Sequence, residues 1–160
     1  MTNKAIEWNL ASLIERGGVY RNVPGENPKE LIAAVTNCLP PVPSLDPREL
    51  YREILEREAL VSTGIGRGIA VPHPRNPMPD GDPFVAVIFP TQPLDWNTPD
   101  GKKVHTVFLI VSSSIKQHLN TLSEINFLCQ QEKFYSLIEE RASEEAIIAA
   151  IQEAETIWKE

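Results

Sequence analysis

The 160-residue sequence predicts one α/β domain in which buried strands are layered against helices. Two segments, residues 84–89 and 104–111, are almost wholly apolar, which is typical of strands covered on both faces. About four other segments repeat apolar residues at helical spacing. A hydrophobic fraction of 42% is sufficient for a real core in a chain of this length.

Two of the helices are marked by the same start signal. Asn27 and Asp46 each precede a proline and stand three residues before a glutamate, which is typical of a capped first turn. The first helix must end before Pro40, because a proline inside a helix cannot donate its backbone hydrogen bond. The second helix is expected to end near residues 56–58.

The other two helices are predicted in the C-terminal half of the chain. The last one is expected over residues 144–158, where Ser143 caps its start. The weakly amphipathic stretch 8–14 has no clear assignment. The remaining helix begins near Ile115, and the apolar stripe along it consists of Leu119, Leu122, Ile125 and Leu128.

Charge and composition exclude several classes of protein. The net charge is −7, so the surface lacks the basic excess that binding to nucleic acid or anionic lipid requires. Cys38 and Cys129 lie outside any CxxC pattern, as expected for two unpaired thiols in a reducing compartment. The first residues lack the apolar core of a signal peptide, and no apolar run approaches the ~20 residues of a membrane span. We therefore expect a cytoplasmic protein with no nucleic-acid partner and no membrane insertion.

The most informative segment is residues 62–73, with the sequence STGIGRGIAVPH. Its three alternating glycines indicate tight turning or close backbone approach, since glycine weakens the interior of a regular element. Backbone N–H groups in such a loop can face an anion. A short strand at residues 69–71 then leads to a histidine, His73.

His73 is the candidate nucleophile of this segment. It lies between Pro72 and Pro74, which stiffen the backbone and so fix the direction of the ring. Arg67 and Arg75 are close in sequence and can supply positive charge. The alternative is a strand-end histidine bonded to a backbone carbonyl and without chemistry, and the residues alone leave both interpretations open.

Nucleotide and metal sites fit the pattern poorly. A dinucleotide site needs GxGxxG between a strand and a helix, but Ile69 stands where the third glycine is required, and no GxxxxGK string is present. A metal site built from His73, His118 and Asp80 or Asp82 would have scattered ligands, unlike the tight spacing typical of zinc. We therefore predict neither a metal nor a cofactor.

Three motifs in order give the sequence a family resemblance. Residues 62–73 resemble the active-site signature of the fructose- and mannitol-type enzyme IIA domains of the bacterial phosphotransferase system, a family that includes the nitrogen-regulatory enzyme IIA proteins. Upstream, the pair Arg57-Glu58 is similar to an Arg-Glu pair of the family. Downstream, residues 118–122 are similar to its second histidine and the leucines that follow. With shorter similarities near residues 93–104, the resemblance covers roughly residues 28–155.

The resemblance implies a fold and a division of the chain. It implies a single-domain sandwich with a mixed, roughly five-stranded sheet flanked by helices. We accordingly expect an N-terminal segment, residues 1–26, that packs on or leads into the domain. The enzyme IIA domain itself is expected over residues 27–160.

The resemblance also implies roles for individual residues. His73 would be phosphorylated, His118 would steady the phosphoryl group, and Arg57 would offset its negative charge. Arg67 and Pro74 depart from the family pattern, in which a small polar residue and a glycine are common, and this leaves partner preference open. The residues expected to bind phosphate are Ser62, Thr63, Gly64, Gly66 and Arg67.

The implied partners are proteins. The donor would be a small HPr-like carrier phosphorylated on a histidine. The phosphorylation state would be read by regulatory protein targets, which a stand-alone chain slightly favours, or the group would pass to an enzyme IIB domain of a sugar transporter. A third alternative is a binding module that has kept the fold and lost transfer, against which the intact Arg57, His73 and His118 argue.

Overall fold

The computed structural model describes residues 8–43 and 45–158, which form a five-stranded sheet flanked by six helices. The helices are α1 (Leu10–Gly17), α2 (Pro28–Thr36), α3 (Pro47–Leu60), α4 (Ile115–Cys129), α5 (Glu132–Glu139) and α6 (Glu144–Trp158). The strands are β1 (Val19–Val23), β2 (Gly64–Gly66), β3 (Ile69–Ala70), β4 (Phe84–Pro90) and β5 (Thr106–Val111). The predicted α/β sandwich with a mixed sheet is confirmed.

The strand order β1-β4-β5-β3-β2 places the two apolar strands next to each other inside the sheet. β4 and β5 are antiparallel, whereas β1 runs parallel to β4 and β3 runs parallel to β5. β2 forms the far edge as an antiparallel partner of β3. Because β3 and β5 are parallel, the segments that follow them, which hold His73 and His118, leave the sheet at the same end.

Both faces of the central strands are buried, and this explains their continuous apolar sequence. On one face, Val85, Phe89 and Phe108 belong to a core shared with α1, α4, α5 and α6. On the other face, Ala86 and Leu109 belong to a core shared with α2 and α3. Full burial of one large aliphatic or aromatic side chain stabilises a fold by about 1.5–3 kcal/mol, so both layers are firmly attached to the sheet.

The N-terminal part of the described chain is built into the sandwich. Asn9 and Ser12 form a reciprocal capping box at the start of α1, with bonds of 2.8 and 3.0 Å. The buried carboxylate of Glu155 accepts a bond of 3.0 Å from the Ala11 N–H, which ties α6 to α1. Residues 10–23, which the sequence assigned to an N-terminal segment, therefore supply a core helix and a paired strand. Residues 1–7 of that predicted segment lie outside the described residues.

Several element boundaries differ from those predicted. β5 begins at Thr106 instead of residue 104, because Val104 exchanges backbone bonds with Leu94 across the preceding loop. α3 continues to Leu60, past the expected end near residues 56–58. Leu119, predicted within the apolar stripe of α4, is 58% exposed. In the described part of the chain, no helix is long and apolar enough to span a membrane.

Candidate active site

The glycine-rich segment forms the β2–β3 hairpin. Its two-residue turn, Arg67-Gly68, has φ angles of +57° and +82°, the left-handed pair required by a type I′ turn. Beyond the strands, the Val71 N–H donates to the Thr63 carbonyl at 3.0 Å and closes the base of the hairpin. The hairpin therefore fixes the direction in which the chain leaves toward His73.

The backbone around His73 is held by the sheet, and its ring is held by the backbone. The Ile110 N–H donates to the Pro72 carbonyl at 2.9 Å, so the chain stays beside β5 as far as the histidine. Nδ1 of His73 lies 2.8 Å from the Val71 carbonyl oxygen. Because a carbonyl can only accept, Nδ1 must carry the proton, and Nε2 then presents its lone pair.

A second histidine packs directly against the first. His118 lies in the first turn of α4, and its ring centroid is 4.3 Å from that of His73 with the planes tilted by 55°. The sheet topology explains this pairing, because β3 and β5 end side by side. The two histidines, which are 45 positions apart in the sequence, thus lie against each other, and this is the arrangement that the family resemblance implies.

The surroundings keep both rings neutral near pH 7. Burial lowers the pKa of His73 below its ordinary value of 6.5; the bond to the Val71 carbonyl opposes this change, and the charge of Arg57 reinforces it. Burial, together with the nearby His73 and Arg57, lowers the pKa of His118 to about 4. A neutral imidazole is the nucleophilic form, so the site is poised for attack on an electrophile.

We expect the ring of His118 to titrate near pH 4 in the folded protein, well below the ordinary value of 6.5. The unfolded chain then binds more protons between these pH values, so the stabilisation that depends on neutral His118 is complete above pH 6.5 and declines toward pH 4. Ring-proton NMR titration measures the midpoint directly. In urea unfolding at pH 7 and pH 5, His118→Asn should lose less stability on acidification than the unsubstituted protein; an equal loss would contradict the assignment.

Arg57 provides the positive charge of the site. It lies in the last turn of α3, and its guanidinium donates a bond of 2.7 Å to the Val61 carbonyl just beyond the helix. It also lines an open cleft together with His73, Ser62, Gly64 and Asn126. An anion in this cleft would therefore lie between the guanidinium and the nucleophilic ring.

Ser62, Thr63 and Gly64 line the same cleft, and their polar groups bond within the protein. The Ser62 hydroxyl donates to the Trp96 carbonyl at 2.5 Å and accepts from the Gly64 N–H at 3.1 Å. These bonds make the segment a rigid wall beside His73.

Glu58, for which the sequence indicates no role, holds this wall to α3. Its carboxylate accepts bonds from the Thr63 N–H at 2.7 Å and from the Thr63 hydroxyl at 2.5 Å. A glutamate in the last turn of a helix, four residues before a Ser-Thr-Gly segment, is the signal that could have indicated such a clamp. Asn126 of the cleft lies on α4 and carries no signal in the sequence.

Arg67 and Gly66 are placed away from His73. The Arg67 guanidinium donates to the Cys129 carbonyl at 3.0 Å and stacks 4.4 Å above the Tyr135 ring. Its backbone N–H donates to the Asp100 carboxylate at 2.8 Å, and Gly66 faces the same carboxylate. The structure therefore brings Ser62, Thr63 and Gly64 to the cleft and directs the Arg67 side chain to the ends of α4 and α5.

The third histidine has a structural position. His105 lies against Gly68, with Nδ1 at 2.7 Å from the Thr106 hydroxyl and Nε2 at 3.2 Å from the Tyr135 hydroxyl. The Tyr135 hydroxyl donates in turn to the Arg67 carbonyl at 2.7 Å. His105 therefore belongs to a network that anchors the tip of the hairpin. Among the described residues, no three His, Cys, Asp or Glu side chains are grouped so that they could hold a metal ion.

Comparison with known proteins places the chain in a family. Residues 12–154 match the family described as "Phosphoenolpyruvate-dependent sugar phosphotransferase system, EIIA 2". A nitrogen regulatory protein of Pseudomonas aeruginosa is 31% identical over 119 residues, which are 72% of this chain and 77% of that protein. The fructose-specific EIIABC component of Bacillus subtilis is 30% identical over 147 residues, so 90% of this chain corresponds to 23% of that longer protein.

Solved structures agree with this assignment. The nitrogen regulatory protein IIA-Ntr from Neisseria meningitidis has a TM-score of 0.72 at 27% identity, covering 83% of this chain and 91% of that one. The IIA mannitol domain in its complex with phosphorylated IIB mannitol from Escherichia coli has a TM-score of 0.67, and at 14% identity it shows the shared fold alone. The molecule thus has the fold of the enzyme IIA domains of the phosphotransferase system. The chain belongs to the EIIA 2 family of the phosphotransferase system.

Proposed function

We propose that this protein is a cytoplasmic histidine phosphocarrier that accepts a phosphoryl group from an HPr-like protein on Nε2 of His73. The observation that carries the proposal is the bond between Nδ1 of His73 and the Val71 carbonyl, which directs the lone pair of Nε2 outward. Nitrogen-regulatory relatives favour an output through regulatory protein targets.

The chemical step needs no group besides the two proteins. The lone pair of Nε2 forms a new P–N bond while the P–N bond of the donor histidine breaks, and the electron pair of that bond stays on the donor ring. The His73 ring becomes positive as it acquires the phosphoryl group, and the Nδ1–H bond to the Val71 carbonyl stabilises that charge. The reverse step returns the group to an acceptor nucleophile.

Arg57 and His118 stabilise the transferred group in this proposal. Phosphoryl transfer depends mainly on alignment and on compensation of negative charge. Arg57 lines the cleft beside His73 and supplies a permanent positive charge. His118 lies against the His73 ring and, when neutral, can donate one hydrogen bond to a phosphoryl oxygen.

The surface around His73 suits a protein partner. Ile65 lines the Arg57 cleft and is 41% exposed, whereas Ile115 lines the opposite side of His73 and is 67% exposed. Leu60 and Val61 extend the apolar surface on the side of α3. Exposed large apolar residues around a reactive group indicate a docking surface, because water contact with them is unfavourable.

Intact-protein mass measures the proposed activity. After incubation with phosphoenolpyruvate, enzyme I and HPr, the protein should gain one acid-labile phosphoryl group, and His73→Ala should gain none. His105→Gln is the matched control and should still be phosphorylated, since His105 lies in the structural network. Absence of phosphorylation with several HPr-like donors would favour the binding-module alternative.

Docking through the exposed isoleucines gives a separate prediction. Ile65→Asp should slow phosphorylation by the donor about tenfold through a higher KM, because a charge at the centre of an interface is unfavourable. Ile157→Asp, near the end of α6 and 64% exposed, is the control and should leave KM unchanged. Initial rates over a range of donor concentrations give both values. A KM that Ile65→Asp does not alter would place the docking surface elsewhere.

Sugar transport is the second candidate for the output, and the similarity to a fructose-specific EIIABC component favours it. The two candidates differ in the acceptor of the phosphoryl group. Transfer of the phosphoryl group from His73 to an added enzyme IIB domain would indicate transport. Intact-protein mass of both proteins detects this transfer. Retention of the group together with altered binding to a regulatory protein would indicate signalling.

A further inference from the structure

Glu58 is the acidic neighbour of Arg57 on α3 and takes no direct part in the proposed transfer step. Its half-buried carboxylate is bonded through both oxygens to one residue, Thr63, whose N–H and hydroxyl lie at 2.7 and 2.5 Å. In the described part of the chain no ion pair joins Glu58 to Arg57, whose guanidinium bonds to the Val61 carbonyl. Because the helix dipole disfavours a negative charge in the last turn, Glu58 does not stabilise α3 itself, and its contribution is the clamp on Thr63.

The direction of these bonds shows that Glu58 is an ionised acceptor. The Trp96 indole N–H lies 3.3 Å from the Thr63 hydroxyl oxygen and can only donate to it. The Thr63 hydroxyl must then turn its own proton toward Glu58, and the Thr63 N–H is a donor as well. Two donors from one residue fix that residue in position and orientation, and bonds to an ionised group are about twice as strong as neutral ones.

Thr63 is joined to the reactive ring by two further bonds. Its carbonyl accepts from the Val71 N–H at 3.0 Å, and the Val71 carbonyl lies 2.8 Å from Nδ1 of His73. Successive hydrogen bonds therefore lead from the Glu58 carboxylate to the ring nitrogen opposite the proposed nucleophile. A movement of Thr63 would be passed to Val71 and so to the bond that fixes the tautomer of His73.

The same clamp sets the place of His73 relative to the positive charge of the site. Arg57 and Glu58 are adjacent on α3, so a residue bonded to Glu58 is also held relative to the Arg57 side chain. Thr63 and Arg57 both line the cleft that opens on His73. Without the clamp the base of the hairpin could move away from the end of α3, and a misplacement of about 1 Å can slow a reaction about 100-fold.

We propose that Glu58 is a positioning residue: its clamp on Thr63 holds the His73 ring in the orientation that phosphoryl transfer requires. In the described part of the chain, the residues lining the cleft do not include Glu58, so apart from its charge it acts on the ring through the hairpin. The effect on the transfer rate rests on the proposed function, whereas the effect on the ring is independent of it. The alternative is a clamp that stabilises the hairpin and has no influence on His73.

Kinetics of transfer from a phosphorylated donor protein give the first test. Glu58→Gln keeps the shape of the side chain and removes its charge. It should lower kcat about tenfold, as expected for the loss of a charge-assisted hydrogen bond, and leave KM within about twofold of its original value. Glu56→Gln is the matched control, because Glu56 is exposed on the same helix, and it should leave both constants unchanged. A change in KM alone would assign Glu58 to docking and overturn the proposal.

Nitrogen NMR of the His73 ring tests the connection without any phosphoryl transfer. The unsubstituted protein should carry the ring proton on Nδ1, and Glu58→Gln should show a larger share of the Nε2–H tautomer, in which the proposed nucleophile has no free lone pair. Thr63→Val removes the hydroxyl and keeps the N–H bond to Glu58, so it should change the tautomer in the same direction but less. A purely structural clamp would lower the stability of Glu58→Gln in urea and leave the tautomer unchanged.

A pH titration separates charge from position. Burial lowers the pKa of His73 and the negative charge of Glu58 opposes this change, so Glu58→Gln should lower the midpoint further, whereas Thr63→Val keeps the charge and should not. A lower kcat in Thr63→Val therefore identifies position as the cause. If either kcat or the tautomer of Glu58→Gln equals that of Glu56→Gln, the proposal is overturned. A protein that no donor phosphorylates would contradict the proposed function alone, and the tautomer would then decide.

Discussion

Replacing Arg57 by glutamine should slow phosphoryl transfer to His73 by about 100-fold, because one positioned positive group is removed from the developing phosphoryl charge. The guanidinium and the His73 ring line one cleft, and no positive side chain other than Arg57 is among the residues lining it in the described part of the chain. Rapid-quench kinetics with a phosphorylated donor protein measures the rate constant directly.

Arg52→Gln is the matched control for this experiment. Arg52 lies on the same helix one and a half turns earlier and is exposed, so its loss should change the rate less than twofold. A second readout separates charge from folding: because Arg57 lowers the pKa of both His73 and His118, Arg57→Gln should raise both midpoints in an NMR titration. A normal transfer rate with raised midpoints would show that Arg57 tunes the rings and does not stabilise the transferred group.

The parts of the fold that could be predicted from sequence are those with a local signal. Asn27 and Asp46 cap α2 and α3 through bonds of 2.9 Å to Glu30 and Glu49 N–H groups, as the sequence pattern indicates. The short β2 gave no signal, because its glycines lack the side chains that β-propensity measures, and its pairing depends on β3 across a tight turn. α1 begins with a capping residue that no proline follows, so the pattern that identifies α2 and α3 does not identify α1.

The positions of the site residues could be predicted only in part from the sequence. The sequence predicted the pairing of His73 with His118 and the nearness of Arg57 through a family resemblance, since nothing local relates positions so far apart. Arg67 was also expected to bind phosphate, because it is adjacent to the glycines in the sequence. Alternation in the hairpin and the left-handed turn send that side chain toward Tyr135, and only the three-dimensional packing reveals this direction.

Gly68→Ala should destabilise the protein by about 3 kcal/mol, which combines left-handed strain of 1–2 kcal/mol with a steric overlap of similar size. The residue has a φ of +82°, and a Cβ atom there would lie 2.4 Å from Cδ2 of His105. Gly101→Ala is the matched control: its φ is +72°, but a Cβ atom would meet nothing within 4 Å, so only the strain of about 1–2 kcal/mol is expected. Urea unfolding of both variants measures the difference.

A double substitution shows whether His105 causes the excess loss. His105→Ala removes the ring that the new methyl group would strike, together with its bonds to Thr106 and Tyr135. If the overlap with the ring dominates, Gly68→Ala should be less destabilising by about 1–2 kcal/mol in the His105→Ala background than in the unsubstituted protein. Equal effects in both backgrounds would assign the loss to backbone strain at the turn. Because this turn sets the course of β3 toward His73, the loss of stability in Gly68→Ala should be accompanied by slower phosphoryl transfer, whereas Gly101→Ala should transfer at the normal rate.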